Sequence, residues 1–334
     1  MILYPDMDNN DFLGGMKKCL TILALSLYLA CLPASGDDTL RIMFWNLENF
    51  FDNRDGGKGD SDREFSASGA RHWTRRRMLA KCSYICKAVL LTSDEYGDVP
   101  DIFAVAEVEN AYVLRCLIEE TSLRKYGYRI VHYDSPDPRG IDVALLYRSS
   151  RLRLLSSRPV KVEAPGLKTR DILSASFLTA EGDSLALLVN HHPSKYGGGD
   201  TDWRRDAALV ALEAVTDSLS RCGYRSVIAT GDFNDTPGNV RCAGAFPLVN
   251  LGDDPGFRGR GTIRYDGIWE LIDMVLVSPS LAGNSRMSIF SIPFLMTWDN
   301  VHTGYKPLRT YSGPRYLGGV SDHCPVLLVI HGPE

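Results

Sequence analysis

The chain has 334 residues, of which 44% are hydrophobic, with 37 basic and 41 acidic side chains and a net charge of −4. The apolar share is sufficient for a large core, and a single α/β domain of this length is ordinary. Mild acidity excludes a protein that holds nucleic acid through overall positive charge, although a local basic groove stays open.

At the N-terminus, Lys17 and Lys18 precede an apolar run over 19–31, and Ala34-Ser35-Gly36 follows. A charged segment, a short apolar segment and a small-residue site read as a secretory signal peptide. The run is too short for a membrane span. Residues 1–36 are therefore expected to be a leader, with Met16 a candidate physiological start, and residues 37–334 the folded domain of an exported protein. Lipid anchoring at Cys31 is disfavoured, because Tyr28 stands where a small aliphatic residue is wanted.

Residues 41–45 form a short apolar strand that delivers Asn46 at its end. A polar loop rich in Gly and Asp follows over 52–68. Over 71–95, Met78, Leu79, Cys82, Ile85, Cys86, Val89 and Leu90 make a helical stripe. Residues 101–106 are a buried strand ending in Glu107, and 111–120 a helix. Strands are expected over 128–132 and 143–147, with a turn at 135–140 between them. Two more, 171–178 and 184–190, are joined by a turn at 180–183. Residues 202–220 are an amphipathic helix through Ala207, Ala208, Ala211, Leu212, Val215 and Leu219. Three final strands cover 227–230, 271–277 and 326–330. Strands alternate with single helices without a long linker or internal repeat, which is one α/β domain with more than one sheet. The six cysteines after the leader have no zinc-finger spacing. They read mainly as small buried apolar residues.

The chemistry gathers at strand ends. Glu107 follows the apolar run Ile102-Phe103-Ala104-Val105-Ala106, and a carboxylate there suits Mg²⁺ or Mn²⁺. Residues 227–230 run into Gly231-Asp232-Phe233-Asn234. On extended backbone, residues two apart point the same way, so Asp232 and Asn234 face one site while Phe233 turns into the core. Asp232 can orient or deprotonate an attacking water, and Asn234 can donate to a phosphate oxygen. Asp322 and His323 precede the apolar 326–330. As neighbours they point apart, Asp322 towards a metal, and His323 either as general base or, when protonated, holding the scissile phosphate. An imidazole needs a partner to fix its tautomer, and Asp273, inside an apolar strand, is the natural one. His191 is favoured over His192 as a second imidazole, with Asp142 expected to orient it. Asn46 can support the metal site or hydrogen-bond a catalytic carboxylate.

In order, Asn46-Leu47-Glu48-Asn49, Glu107-Val108-Glu109-Asn110, Asn190-His191-His192-Pro193-Ser194, Gly231-Asp232-Phe233-Asn234, Ile272-Asp273-Met274-Val275 and Ser321-Asp322-His323 resemble the endonuclease/exonuclease/phosphatase superfamily, whose fold is that of deoxyribonuclease I. Residues 134–148 resemble its bacterial exported branch. The resemblance implies a four-layer α-β-β-α sandwich of two packed mixed sheets flanked by helices. It implies Glu107 as principal metal ligand, supported by Asn46 and Asp322, and Asp232, Asn234, His191 and the Asp273–His323 pair as catalytic groups. Arg170 matches a family arginine near the phosphate. No insert supplies an obvious hydrophobic hairpin for membrane insertion. The expected activity is Mg²⁺- or Mn²⁺-dependent hydrolysis of a phosphodiester or phosphomonoester. The substrate could be nucleic acid, a nucleotide, an inositol phosphate or a phospholipid headgroup. The chain is expected to act as a monomer with no obligate protein partner. The alternative is a catalytically silent exported binding protein on the same fold.

Overall fold

A computed structural model describes residues 38–332 apart from 58, 196–200 and 243. The leader, Cys31 included, lies outside the described residues. β1 (Leu40–Phe50) shows how the layers arise. Its side chains alternate between two cores. Ile42 and Phe44 face one, and Met43 and Trp45 face the other. A strand buried on both faces must be covered on both, by a second sheet on one side and helices on the other.

Helix α1 (Arg75–Tyr96) begins later than the 71 expected from the stripe, because Trp73 is buried and Thr74 caps the helix by accepting from Arg77 N. Gly97, at φ 83°, ends it. β2 (Ile102–Val108) leads to α2 (Ala111–Glu119), capped by the Asn110 side chain. β3 (Tyr128–His132) and β4 (Asp142–Arg148) form a hairpin. β5 (Leu152–Val160), β6 (Ile172–Thr179) and β7 (Ser184–His191) form a meander. After it come α3 (Asp202–Arg221) and β8 (Ser226–Asp232). β5 escapes the sequence pattern because it is an edge strand with most of its side chains partly or fully exposed.

Beyond β8 the chain turns through β9 (Val249–Asn250), the hairpin β10 (Ile263–Tyr265) and β11 (Ile268–Glu270), then β12 (Asp273–Val277) and the single helical turn α4 (Pro279–Ala282). β13 (Ser285–Ile289) precedes two more small hairpins, β14 (Met296–Trp298) with β15 (Tyr305–Pro307), and β16 (Tyr311–Ser312) with β17 (Arg315–Tyr316). β18 (Val326–Ile330) closes the fold. These short hairpins have no apolar periodicity to announce them. The first two leave Tyr265, Ile268, Trp298 and Tyr305 exposed.

Two six-stranded sheets result, ordered β13-β18-β1-β2-β4-β3 and β5-β6-β7-β8-β12-β9. Each is antiparallel except for one central parallel pair, β1 with β2 and β7 with β8. The inner faces of the two sheets share one core, which continues under Ala208, Leu212 and Val215 of α3. The outer face of the first sheet packs under α1 and α2 in a second core. This is the expected four-layer α-β-β-α sandwich. The described cysteines are free, and all but Cys222 are buried, in keeping with small core residues.

Candidate active site

The parallel pairs put the C-terminal ends of β1, β2, β7 and β8 at the site, where strand-end ligands collect. On the second sheet, ladder register brings the side chains into a row. His191 on β7 lies opposite Asp232 on β8, and Asp232 lies opposite Asp273 on β12. Gly231 permits the close approach of β7, since a Cβ there would lie 2.2 Å from the Asn190 carbonyl oxygen. Phe233 turns into the core as expected, and the Asn234 side chain returns to the site at a φ of 50°.

On the first sheet, β2 shifts register between Ala106 and Val108. Glu107 sits at the bulge with φ 58°, which swings its carboxylate out of the ladder. Glu48 and Asn49 also have positive φ, at 43° and 52°. Such conformations cost ordinary residues about 1–2 kcal/mol each and concentrate where a site imposes them.

Asn46 bridges the sheets. Its Nδ2 donates to Asp232 Oδ2 at 3.0 Å, and its Oδ1 accepts from Glu48 N at 3.0 Å. Both carboxamide atoms of Asn46 are thus engaged, and the amide orients the Asp232 carboxylate, one of the two roles expected for it. Asp232 Oδ1 accepts from Asn234 N at 2.9 Å. Burial and then the Asp273 charge push the Asp232 carboxyl up to about 7.

His323 Nδ1 meets Asp273 Oδ2 at 2.7 Å, the expected pairing. Burial alone would lower this imidazole, but the Asp273 charge and hydrogen bond, then Asp232 and Asp322, hold it well above the ordinary histidine range. Its Nε2 lies 3.9 Å from both Asp232 Oδ2 and Asp322 Oδ1.

His191 Nε2 points between two carboxylates, 3.7 Å from Asp232 Oδ2 and 3.9 Å from Glu107 Oε1. Burial, reinforced by Arg170 and Arg139, drives this ring well below the ordinary range. Asp142 does not orient it. Asp142 Oδ2 lies 3.1 Å from His132 Nε2, its Oδ1 accepts from Ser135 N, and His191 Nδ1 is buried without a hydrogen-bond partner among the described residues. The reason is local. In the β3–β4 hairpin His132 pairs with Ala144, two residues from Asp142 on the same face, whereas His191 belongs to the other sheet.

Arg170 also departs from expectation. It is buried, its Nη1 donates to Asp137 Oδ2 at 2.8 Å, and its Nε and Nη2 donate to the His191 and His192 carbonyls. The guanidinium braces the histidine loop from beneath instead of reaching an open phosphate position. The His192 carbonyl also accepts from Asn234 Nδ2 at 3.0 Å, which leaves one Asn234 amide hydrogen for a ligand. The His192 ring stacks edge-on to Phe233 at 4.9 Å, a lining role.

Hard oxygen donors suited to a divalent cation converge beside this row. Glu107 Oε2 accepts from Asn49 N at 2.8 Å, and its Oε1 lies 3.6 Å from Arg139 Nη1. Arg309 bridges two more carboxylates, Glu48 Oε1 at 3.0 Å and Asp322 Oδ2 at 2.8 Å. Burial and the Asp322 charge push Glu48 up to about 7, as expected for acids crowded together without enough positive charge. Asp322, Glu48 and Glu107 all act on Arg309 and so border one region, where carboxylate oxygens suit a Mg²⁺- or Mn²⁺-type ion, but their donor atoms do not form a group within 4.8 Å. The donors of Asp232, Asp273 and His323 do lie within 4.8 Å of one another. There, however, the 2.7 Å bond already joins His323 Nδ1 to Asp273 Oδ2, so that trio is better described as an oriented imidazole beside a base.

Sequence reasoning missed Glu48, although it stands two residues after Asn46 in a quoted motif, and the same two-apart rule would have found it. Arg139, Arg309 and Lys81 carried no such signal. Lys81 is fully buried behind the acids, its Nζ donating to the Glu48 carbonyl at 2.6 Å and to Thr310 Oγ1 at 2.8 Å. Burial lowers its ammonium to about 8.

The profile of the Endonuclease/Exonuclease/phosphatase family matches residues 41–332, and the chain belongs to that family. Three solved structures illustrate the shared fold. A truncated Caenorhabditis elegans TDP2 is 15% identical, covering 88% of this chain and 98% of its own, with a TM-score of 0.55. The human Nocturnin catalytic domain with bound sulfate is 16% identical, covering 88% and 95%, with a TM-score of 0.55. The mannosyl-6-phosphatase Bt3783 of Bacteroides thetaiotaomicron VPI-5482 is 16% identical, covering 87% and 99%, with a TM-score of 0.54. No curated protein sequence matches this chain.

Proposed function

We propose that this chain is an exported, metal-dependent phosphoesterase that cleaves its substrate by in-line attack of water. The observation that carries the reading is the convergence of the oriented His323–Asp273 pair, the raised Asp232 carboxyl and the acids Glu107, Glu48 and Asp322 at one end of the sandwich. A Mg²⁺- or Mn²⁺-type ion would be held by Glu107, with Glu48 and Asp322 beside it, and would supply neutralisation of charge on the phosphoryl oxygens. Asp232, close to neutral in its proton affinity and held by Asn46, takes the proton from the attacking water. The water oxygen bonds to phosphorus as the ester P–O bond opposite breaks, and the leaving alkoxide takes a proton from solvent to depart as an alcohol. Protonated His323, the His191 ring and the remaining Asn234 amide hydrogen stabilise the phosphoryl oxygens during transfer. Export rests on the charged, apolar and small-residue pattern of residues 1–36.

The test is a substrate panel with Mg²⁺ or Mn²⁺ and with EDTA. It includes bis-p-nitrophenyl phosphate, supercoiled DNA, nucleotides, sugar phosphates and inositol phosphates. Metal-dependent product release is expected on at least one, and Asp232→Ala and His323→Ala should each lower it by roughly 10²–10³-fold while keeping the fold. Absence of metal-dependent turnover on every member would favour the binding protein. Full activity in both variants would refute the assigned residues.

A further inference from the structure

Beside the metal-side acids lies a cavity of about 120 Å³ that the proposed reaction leaves unused. Its walls include Glu48, Asn49, Phe65, Arg71, Arg309 and Tyr311. Two of these walls are shared with the catalytic centre. Asn49 N donates to Glu107 Oε2 at 2.8 Å, and Arg309 joins Glu48 to Asp322. Arg71 comes from the loop ahead of α1 and is clamped in place. Its guanidinium carbon lies 5.6 Å from the Phe65 ring centre and 5.3 Å from that of Tyr311. Its Nε donates to Glu64 Oε1 at 2.7 Å and its Nη1 to the Gly313 carbonyl, while the Tyr311 hydroxyl donates to its own carbonyl at 2.9 Å. Phe65 and Tyr311 are both buried, so the clamp is anchored in the core under α1.

Donors and acceptors around this cavity are unequal. Both Glu48 oxygens are engaged, Oε1 by Arg309 Nε and Oε2 by Thr310 N at 2.6 Å. Arg71 Nη2 and Arg309 Nη1, by contrast, have no hydrogen-bond partner among the described residues. A guanidinium carries donors only, so what these side chains still offer is N–H. Paired guanidinium groups with spare N–H select a carboxylate or a phosphate. The space is far smaller than a whole-ligand site of about 300–1,000 Å³, so it holds one group of a larger molecule. Building on the phosphoesterase reading, we propose that this cavity is an oxyanion subsite that takes a second phosphate of the substrate, beside the one being cleaved. The substrate class is then a compound carrying at least two phosphates. Because Arg71 is already fixed by its rings and hydrogen bonds, little side-chain freedom is lost when the anion arrives. Glu64 competes with that anion for the same guanidinium.

The experiment is isothermal titration calorimetry on the full chain with Mg²⁺, in an Asp232→Ala background that suppresses turnover. The probes are ethyl phosphate, the bisphosphates of ethylene glycol, butanediol and hexanediol, and inorganic phosphate. At least one bisphosphate is expected to bind about tenfold or more tighter than ethyl phosphate. Arg71→Met should remove most of that advantage. Glu64→Gln takes away a partly exposed competing charge and should enlarge the advantage by about two- to fivefold, a gain that a purely structural ion pair does not give. Absence of any bisphosphate advantage in the Asp232→Ala protein overturns the proposal. So does an advantage that Arg71→Met leaves unchanged or that Glu64→Gln lowers, and the Glu64 variant decides the matter if Arg71→Met does not fold. Inorganic phosphate binding that falls in Arg71→Met, without a bisphosphate advantage, would make the cavity a site for free phosphate and overturn its part in substrate binding. Failure of the phosphoesterase reading shows separately, as no metal-dependent turnover on the substrate panel, because the calorimetry does not read turnover.

Discussion

Replacing Asp273 by Asn tests the catalytic reading most directly. The substitution keeps the shape of the side chain in β12 but removes the charge that His323 Nδ1 meets at 2.7 Å. A charge-assisted hydrogen bond in a buried site is worth about 1.5–3 kcal/mol, which converts to a loss of roughly 10–150-fold in rate. The pH profile carries a sharper signature. Asp273 is the principal group that raises the buried His323 imidazole, and after burial it is also the largest influence raising Asp232. Without its charge both groups lose protons at lower pH. The acid limb, set by deprotonation of Asp232, and the alkaline limb, set by loss of the His323 proton, should therefore shift in the same direction, downwards. Rates of bis-p-nitrophenyl phosphate hydrolysis with saturating Mg²⁺, from about pH 5 to about pH 10, measure both limbs through kcat/KM. Wild-type rate with unmoved limbs would refute the coupling of Asp273 to His323 and Asp232.

Two further outcomes follow from the same geometry. Arg170→Met leaves Asp137 buried without its 2.8 Å partner, which costs about 3–5 kcal/mol and lowers Tm by roughly 10 °C. Arg170→Lys should recover only part of the loss, because three separate acceptors need the guanidinium fork, and differential scanning fluorimetry compares the three proteins. In EDTA, Asp232→Asn should be more stable than the parent, by a margin that grows with pH. The folded Asp232 pKa is raised from 3.8 to about 7, so the stabilisation this group gives is complete below the unfolded value and lost as pH rises through about 7. The variant has no such charge to lose stability with, and a Tm gap that stays constant across that window would contradict the burial argument.

Much of the site is legible in sequence because its residues follow apolar runs. Asn46, Glu107, His191 and Asp232 each end or leave a strand whose alternation is visible, and the two-residue spacing from Asp232 to Asn234 gives the facing directly. Asp273 stands out because a carboxylate inside an apolar strand demands a partner. What fails is pairing across the fold. The sequence suggests Asp142 as a partner for His191, but hairpin register joins it to His132, and register is set by strand order that one sequence does not display. Arg170 has the composition of a phosphate ligand, yet its role is set by three acceptors that only the folded loop brings near. Arg309 and Lys81 lie far along the chain from Glu48, and nothing in their own neighbourhoods marks them. Apart from β12, which the apolar run over 271–277 announces, the segment between β8 and β18 is hidden for a related reason. Its other strands are two to five residues long, too short for periodicity to register.

Neither sheet holds a complete set of functional groups. One contributes Asn46 and Glu107 with the Asp322–His323 lead into β18, and the other contributes His191, Asp232 and Asp273. Two bonds, Asn46 to Asp232 and His323 to Asp273, cross the seam like rivets. Any slippage between the halves pulls on both, so loss of turnover should report a shear of the sandwich before either half has begun to melt.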